Sequence, residues 1–142
     1  MKKLTRSGAP WLYPLPPVLV SCKHEDRANI ITLAWAGVAC SDPAIISLGI
    51  RPQRYSYGII KESGEFVVNI PTASQVEQVD FCGQVSGRNV DKFVHCGFTP
   101  VPGRSVQAPL PDASTWAKPM PWCTGSTVIT ALGKHWGATG SG

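Results

Sequence analysis

A chain of 142 residues with 43% apolar and 15% charged side chains is long enough to bury one core and too apolar to be disordered. Its net charge of +4 sets 13 basic residues against 9 acidic ones, and the basic residues never run longer than Lys2-Lys3, which argues against a nucleic-acid partner. No apolar stretch approaches the roughly 20 residues that span a bilayer. The basic N-terminus is broken by Pro10, Pro14, Pro16 and Pro17, which makes a poor signal peptide. The expectation is a cytoplasmic protein with no membrane and no nucleic-acid partner.

The first β-branched run covers 18–22, the polar stretch 24–29 makes a turn, and 29–35 returns as a second strand, giving a hairpin with a longer loop. Ser41-Asp42-Pro43 breaks the chain ahead of 44–50, apolar on both faces and therefore expected at the centre of a sheet. Residues 53–63 carry Tyr57, Ile59 and Ile60 at helical spacing and end on Gly64, a C-terminal cap. A fourth strand over 65–70 stops at Pro71. Two short helices follow over 73–82 and 90–96, and a proline-bound strand is expected along 105–110. Strands dominate early, helices are inserted, and there is no regular βαβ alternation. The pattern favours a mainly β, antiparallel barrel with helical excursions.

The seam Arg51-Pro52-Gln53-Arg54, with Ser56 just beyond, joins a strand end to a helix start. First-turn amides carry partial positive charge, and two guanidiniums and a hydroxyl complete a set of donors suited to phosphate. The residues alone leave open a solvated loop whose arginines merely keep it wet. G-x-G-x-x-G and Walker motifs are absent. Five cysteines, at 22, 40, 82, 96 and 123, show no C-x-x-C pair and read as reduced thiols. Cys82 and the His95-Cys96 step allow a metal to be imagined, but buried small thiols beside a capped helix end explain them more simply, so no metal is expected.

The stretches "NIITLAWAGVACSDPAIISLGIRPQRYSYGIIKESGEFVVNIP" and "CGQVSGRNVDKF" resemble the flavin reductase-like, FMN-binding split-barrel family, in particular its flavoredoxin-type branch. The resemblance covers about residues 14–110. Its specificity lies in the order N-x-x-T-x-A-W, S-D-P, R-P-x-R-Y-S-Y, E-S-G-E-F-V-V-N and S-G-R-x-V-D-K-F. It implies an antiparallel Greek-key split barrel. It also implies that residues 29–35 line a flavin, with Asn29, Thr32, Leu33, Ala34 and Trp35 along it, while Ser47, Gly49 and Ile50 flank the ribityl chain. Arg51, Arg54 and Ser56 would hold the FMN phosphate, with Lys92 approaching from the other side and Asp91 orienting a neighbouring cation. FAD is the alternative flavin.

The activity implied is hydride transfer from NAD(P)H to flavin, with chemistry supplied by the cofactor and no catalytic side chain required. His24 and His95, without a carboxylate partner in sequence, read as structural. Two other readings stand beside it: a flavoredoxin-like carrier that keeps FMN tightly bound and passes electrons to a redox-protein acceptor, and a catalytically silent flavin-binding remnant. The family also implies a homodimer. Beyond Leu110 the pattern changes: residues 111–142 hold three tryptophans, five glycines and only Val128, Ile129 and Leu132 as branched aliphatics. The expectation is one domain over 1–110, incomplete at its C-terminal side. An atypical tail over 111–142, from a shifted frame or fused fragment, would be too poor in aliphatics to pair as barrel strands and would be poorly ordered or loosely packed.

Overall fold

The computed structural model describes residues 14–42, 44–103, 106–111, 116–121 and 128–132. Strand β1 (Val18–His24) pairs antiparallel with β2 (Arg27–Leu33) in unbroken register from Val18↔Leu33 to His24↔Arg27. The loop expected here is thus reduced to Glu25-Asp26, with Glu25 in the left-handed region at φ 53°. Arg27 and Ala28 are polar or small and exposed, so they carry no hydrophobic signal, yet their backbones extend the ladder. Strand β3 (Ala36–Ser41) pairs with β4 (Ala44–Gly49), with a bulge between Val38 and Cys40. β3 had no sequence signal because its small residues do not alternate; it is an exposed strand at a sheet edge.

Helix α1 (Tyr55–Ser63) buries Ser56, Ile59 and Ile60, the i, i+3, i+4 face of an amphipathic helix. Gly64 ends it at φ 70°, its N–H donating to the Ile60 carbonyl at 2.9 Å. Strand β5 (Glu65–Ile70) follows, then a 3-10 turn (Ala73–Gln75) leading into α2 (Val76–Gln84). Helix α3 (Lys92–Cys96) has Asp91 as its N-cap, the carboxylate accepting from the Phe93 and Val94 amides at 2.9 and 3.2 Å. The aspartate anticipated as a partner for a cation is therefore a helix cap.

The strand expected over 105–110 is not found. Residues 106–108 are bends, Ser105 lies outside the described residues, and only Leu110–Pro111 (β7) pairs, with Pro100–Val101 (β6). Proline at 100, 102, 109 and 111 removes the donors a longer ladder would need. Conversely, two strands form where none was expected. Trp116–Pro121 (β8) pairs with β5 along Glu65↔Pro121 to Ile70↔Trp116, and Val128–Leu132 (β9) pairs with β4. Edge pairing uses backbone groups and tolerates prolines such as 119 and 121, so low aliphatic content did not prevent it.

The sheets have the order β2-β1-β5-β8, β3-β4-β9 and β6-β7, and β4 is central, as its apolar faces predict. Alternation along the strands sorts the core into two bodies. Val18, Val20, Ile31, Leu33, Leu48, Ile50, Phe66 and Val68 pack with Ile59 and Ile60 of α1. On the opposite face of β1 and β2, Leu19 and Ile30 pack with Cys82, Phe93 and Phe98 under α2 and α3. Buried Asn69 stitches this second face, its Nδ2 donating to the Leu19 carbonyl at 3.0 Å and to Ser21 Oγ at 3.1 Å. Among the described residues no helix is long and apolar enough to cross a membrane.

Candidate functional site

The 51–54 seam is a hydrogen-bonded turn: the Arg54 amide donates to the Arg51 carbonyl at 3.0 Å, and the Tyr57 amide to the Arg54 carbonyl at 3.0 Å. Arg54 is the N-cap of α1, no side chain caps that end, and its first turn holds no acidic residue. The loop between α2 and α3 closes over the seam. There Arg88 Nη1 donates to the Gln53 carbonyl at 3.2 Å and its guanidinium sits 5.6 Å from the centre of the Tyr55 ring. Gly87 makes the approach possible, because a Cβ there would lie 2.2 Å from Asn29 Oδ1.

These elements enclose a hollow of about 350 Å³ whose lining includes Asn29, Arg51, Arg54, Ser56, Ser86, Arg88 and Lys92. Its cations are Arg51, Arg54, Arg88 and Lys92, and no carboxylate is among the described residues that line it. A second hollow of about 800 Å³ adjoins it, sharing Arg54 and Gly83. Its walls are mostly apolar: Pro16, Pro17, Ala34, Trp35, Ile70, Val76 and Val79, with Thr32 and Asp80 among the polar exceptions. The pair forms one cleft with a cationic end and an apolar end.

Lys92 is buried, with only 3% of its surface exposed. Its Nζ donates to the Ile30 carbonyl at 3.0 Å and the Cys82 carbonyl at 2.8 Å. Burial, with Arg54 nearby, pushes the ammonium below the usual lysine range, while neighbouring thiols pull the other way. Ser56 is also fully buried, and its Oγ accepts from Asn29 Nδ2 at 2.8 Å, so its hydroxyl is part of a fixed network at the floor of the hollow. Cys22 lies in the same region, donating to the Asn29 carbonyl, and burial raises its pKa to about 12.

Of the residues singled out in the sequence, the cleft brings together Asn29, Thr32, Ala34, Trp35, Arg51, Arg54, Ser56 and Lys92. The Thr32 hydroxyl is engaged by the Val79 carbonyl, which ties β2 to α2. Leu33, Ser47, Gly49 and Ile50 do not line it. Leu33 and Ile50 lie in the core, Ser47 Oγ donates to the Gly37 carbonyl at 3.3 Å, and the Gly49 amide to the Trp35 carbonyl at 2.8 Å. Arg88, Gln53, Ser86 and Gly83 were missed. The signal for Arg88 and Ser86 lies in S-G-R-x-V-D-K-F, the same motif that carries Asp91 and Lys92.

Residues 11–119 match the model of the flavin reductase like domain, a span that runs past Leu110 into β8. The chain belongs to that family. It is similar to the flavoredoxin of Desulfovibrio vulgaris (Miyazaki F), with 36% identity, a TM-score of 0.85, and coverage of 93% of this chain and 73% of that one. The flavoredoxin of Methanosarcina acetivorans is 25% identical at a TM-score of 0.83, covering 94% of this chain and 73% of that one. An uncharacterised protein of Aeropyrum pernix is 36% identical over 100 residues, covering 70% of this chain and 38% of that protein. The chain spans about half the length, or less, of the curated relatives it matches. The family's split barrel is the architecture of this mainly β chain.

Proposed function

We propose that the cleft binds FMN, with the phosphate at the cationic end and the ring system at the apolar end. The supporting observation is the cleft's two-ended chemistry, with Arg51, Arg54, Arg88 and Lys92 gathered in one compartment and proline, tryptophan and aliphatic walls in the other. A ligand carrying a phosphate at one end and a flat apolar ring at the other fits this donor set. The arginines and Lys92 would supply charge-assisted hydrogen bonds, and Ser56 would act mainly through Asn29, whose position it fixes. Trp35, Ala34 and Val79 would exclude water from the ring, and Thr32 would hold α2 against β2.

The activity proposed is that of an oxidoreductase of the flavin reductase class, moving hydride from NAD(P)H to flavin. Bound FMN would supply the redox chemistry, and the chain supplies orientation and a dry wall. A second reading, favoured by the 36% identity to a flavoredoxin, is an electron carrier that keeps FMN bound and serves another redox protein. Homodimerisation belongs to the same proposal and is supported by Val38, 80% exposed on the β3 edge.

Flavin content, NAD(P)H oxidation and FMN affinity test this. The purified protein should carry flavin absorbance at stoichiometric level, and NAD(P)H oxidation that needs added free flavin marks a reductase rather than a carrier. Replacing Arg54, which touches both compartments, with Ala should weaken FMN binding by roughly tenfold or more, from the loss of about 1.5–3 kcal/mol. Riboflavin should bind weakly to both forms. Equal FMN affinity for the wild type and the Arg51→Ala/Arg54→Ala double variant would overturn the assignment.

A further inference from the structure

We propose that Cys82 and Cys96 form a redox-active dithiol that reacts with small-molecule disulfides and closes to an intramolecular disulfide. Cys82 lies near the end of α2 and Cys96 is the last residue of α3, and their Sγ atoms are 3.7 Å apart. That is van der Waals contact, and closing it to the roughly 2 Å of an S–S bond is a small step for two helix ends. The helices are pinned around the pair. Phe81 and His95, each one residue before a cysteine, stack with ring centroids 3.9 Å apart and 10° between planes. Lys92 of α3 donates to the Cys82 carbonyl, and Gly97 at φ 67° ends α3 directly behind Cys96.

The other described thiols lack this arrangement. Cys22 is buried and donates to the Asn29 carbonyl, while Cys40 donates to the Asp42 carbonyl at 3.3 Å. The two partners are also unequal. Cys96 is half-buried and reachable, whereas Cys82 is enclosed, and burial together with the adjacent Cys96 pushes its thiol up to about 12. Cys96 is therefore the attacking sulfur and Cys82 the resolving one. The Cys96 thiolate attacks a disulfide RSSR, forming a mixed disulfide and releasing RS⁻. The Cys82 thiolate then attacks the Cys96 sulfur and releases the second RS⁻. The two protons lost by the protein end on two RSH, so one RSSR is reduced for each protein disulfide formed. The product bond ties α2 to α3 at the wall that holds Lys92. Cys82 also borders the cationic hollow, but flavin takes no part in the exchange, and the readout is the mass of a linked peptide pair.

The test uses the full chain, reduced, exposed to glutathione disulfide, alkylated after unfolding and digested with trypsin. Arg88 and Lys92 lie between the two cysteines, so the disulfide would hold together a peptide ending at Arg88 and one starting at Phe93. That linked pair should be the main oxidised product and should separate on treatment with dithiothreitol. Cys82→Ala should trap glutathione on Cys96, and Cys96→Ser, a change at a partly exposed helix end, should abolish the linked pair. Recovery of both cysteines alkylated, glutathione retained on wild-type Cys96, or links running instead to Cys22, Cys40 or Cys123 would each overturn the proposal.

Discussion

Gly87 occupies a point where the α2–α3 loop meets β2 so closely that a methyl group would collide with the Asn29 carboxamide. Accommodating alanine means turning Asn29 away and losing its bond to Ser56, both of which are buried. Gly87→Ala is therefore expected to cost about 1–3 kcal/mol, the penalty for stranding a buried polar group, seen as a lower urea midpoint. An unchanged midpoint would show that the loop gives way without strain. The arginines at 51 and 54 were legible as a pair because their spacing around Pro52 is local. The burial of Lys92 was not, because its two acceptors lie 62 and 10 residues away in sequence and only the tertiary fold assembles them.

Among the elements, those written in local chemistry were readable: Gly64 and Gly97 as left-handed caps, Pro71 as a strand stop, and the apolar face of α1. β3 was hidden because Ala36, Gly37 and Ala39 carry no alternation, and β8 because its pairing is dictated by the free edge of β5. Helix α3 is a case where one cap carries much of a short element. With only five residues it cannot persist on propensity, and Asp91 binds two of its first amides. Asp91→Ala should cost about 0.5–2 kcal/mol and leave α3 frayed. Hydrogen exchange should then speed up at Phe93 and Val94 ahead of the rest of the chain. Protection unchanged at those amides would place the stability of α3 in its packing through Phe93 alone.

At the scale of the whole molecule, the pairing of β8 with β5 and β9 with β4 closes edges that would otherwise be open. A chain ending at Pro111 would expose the edge of β5, whose Phe66, Val67 and Val68 are buried, and one edge of β4. Such a variant should melt lower, by roughly 2–8 °C for each kcal/mol lost, and should associate in light scattering. A monodisperse variant with the parental melting temperature would show that the two strands add nothing. The cleft itself is drawn from β1's approach at Pro16 and Pro17, from β2, from the 51–56 seam and from α2 through Lys92. An unfolded chain holds none of these together, so a ligand that needs them all binds only the folded form. FMN at about a hundredfold excess over its dissociation constant should add about 2.7 kcal/mol, with a melting point that climbs with ligand concentration and barely moves with riboflavin. Proteases that act on the opened chain sample its population. The survival of this protein in a growing expression host should therefore follow flavin supply, with riboflavin-starved cultures degrading it faster in a pulse-chase measurement.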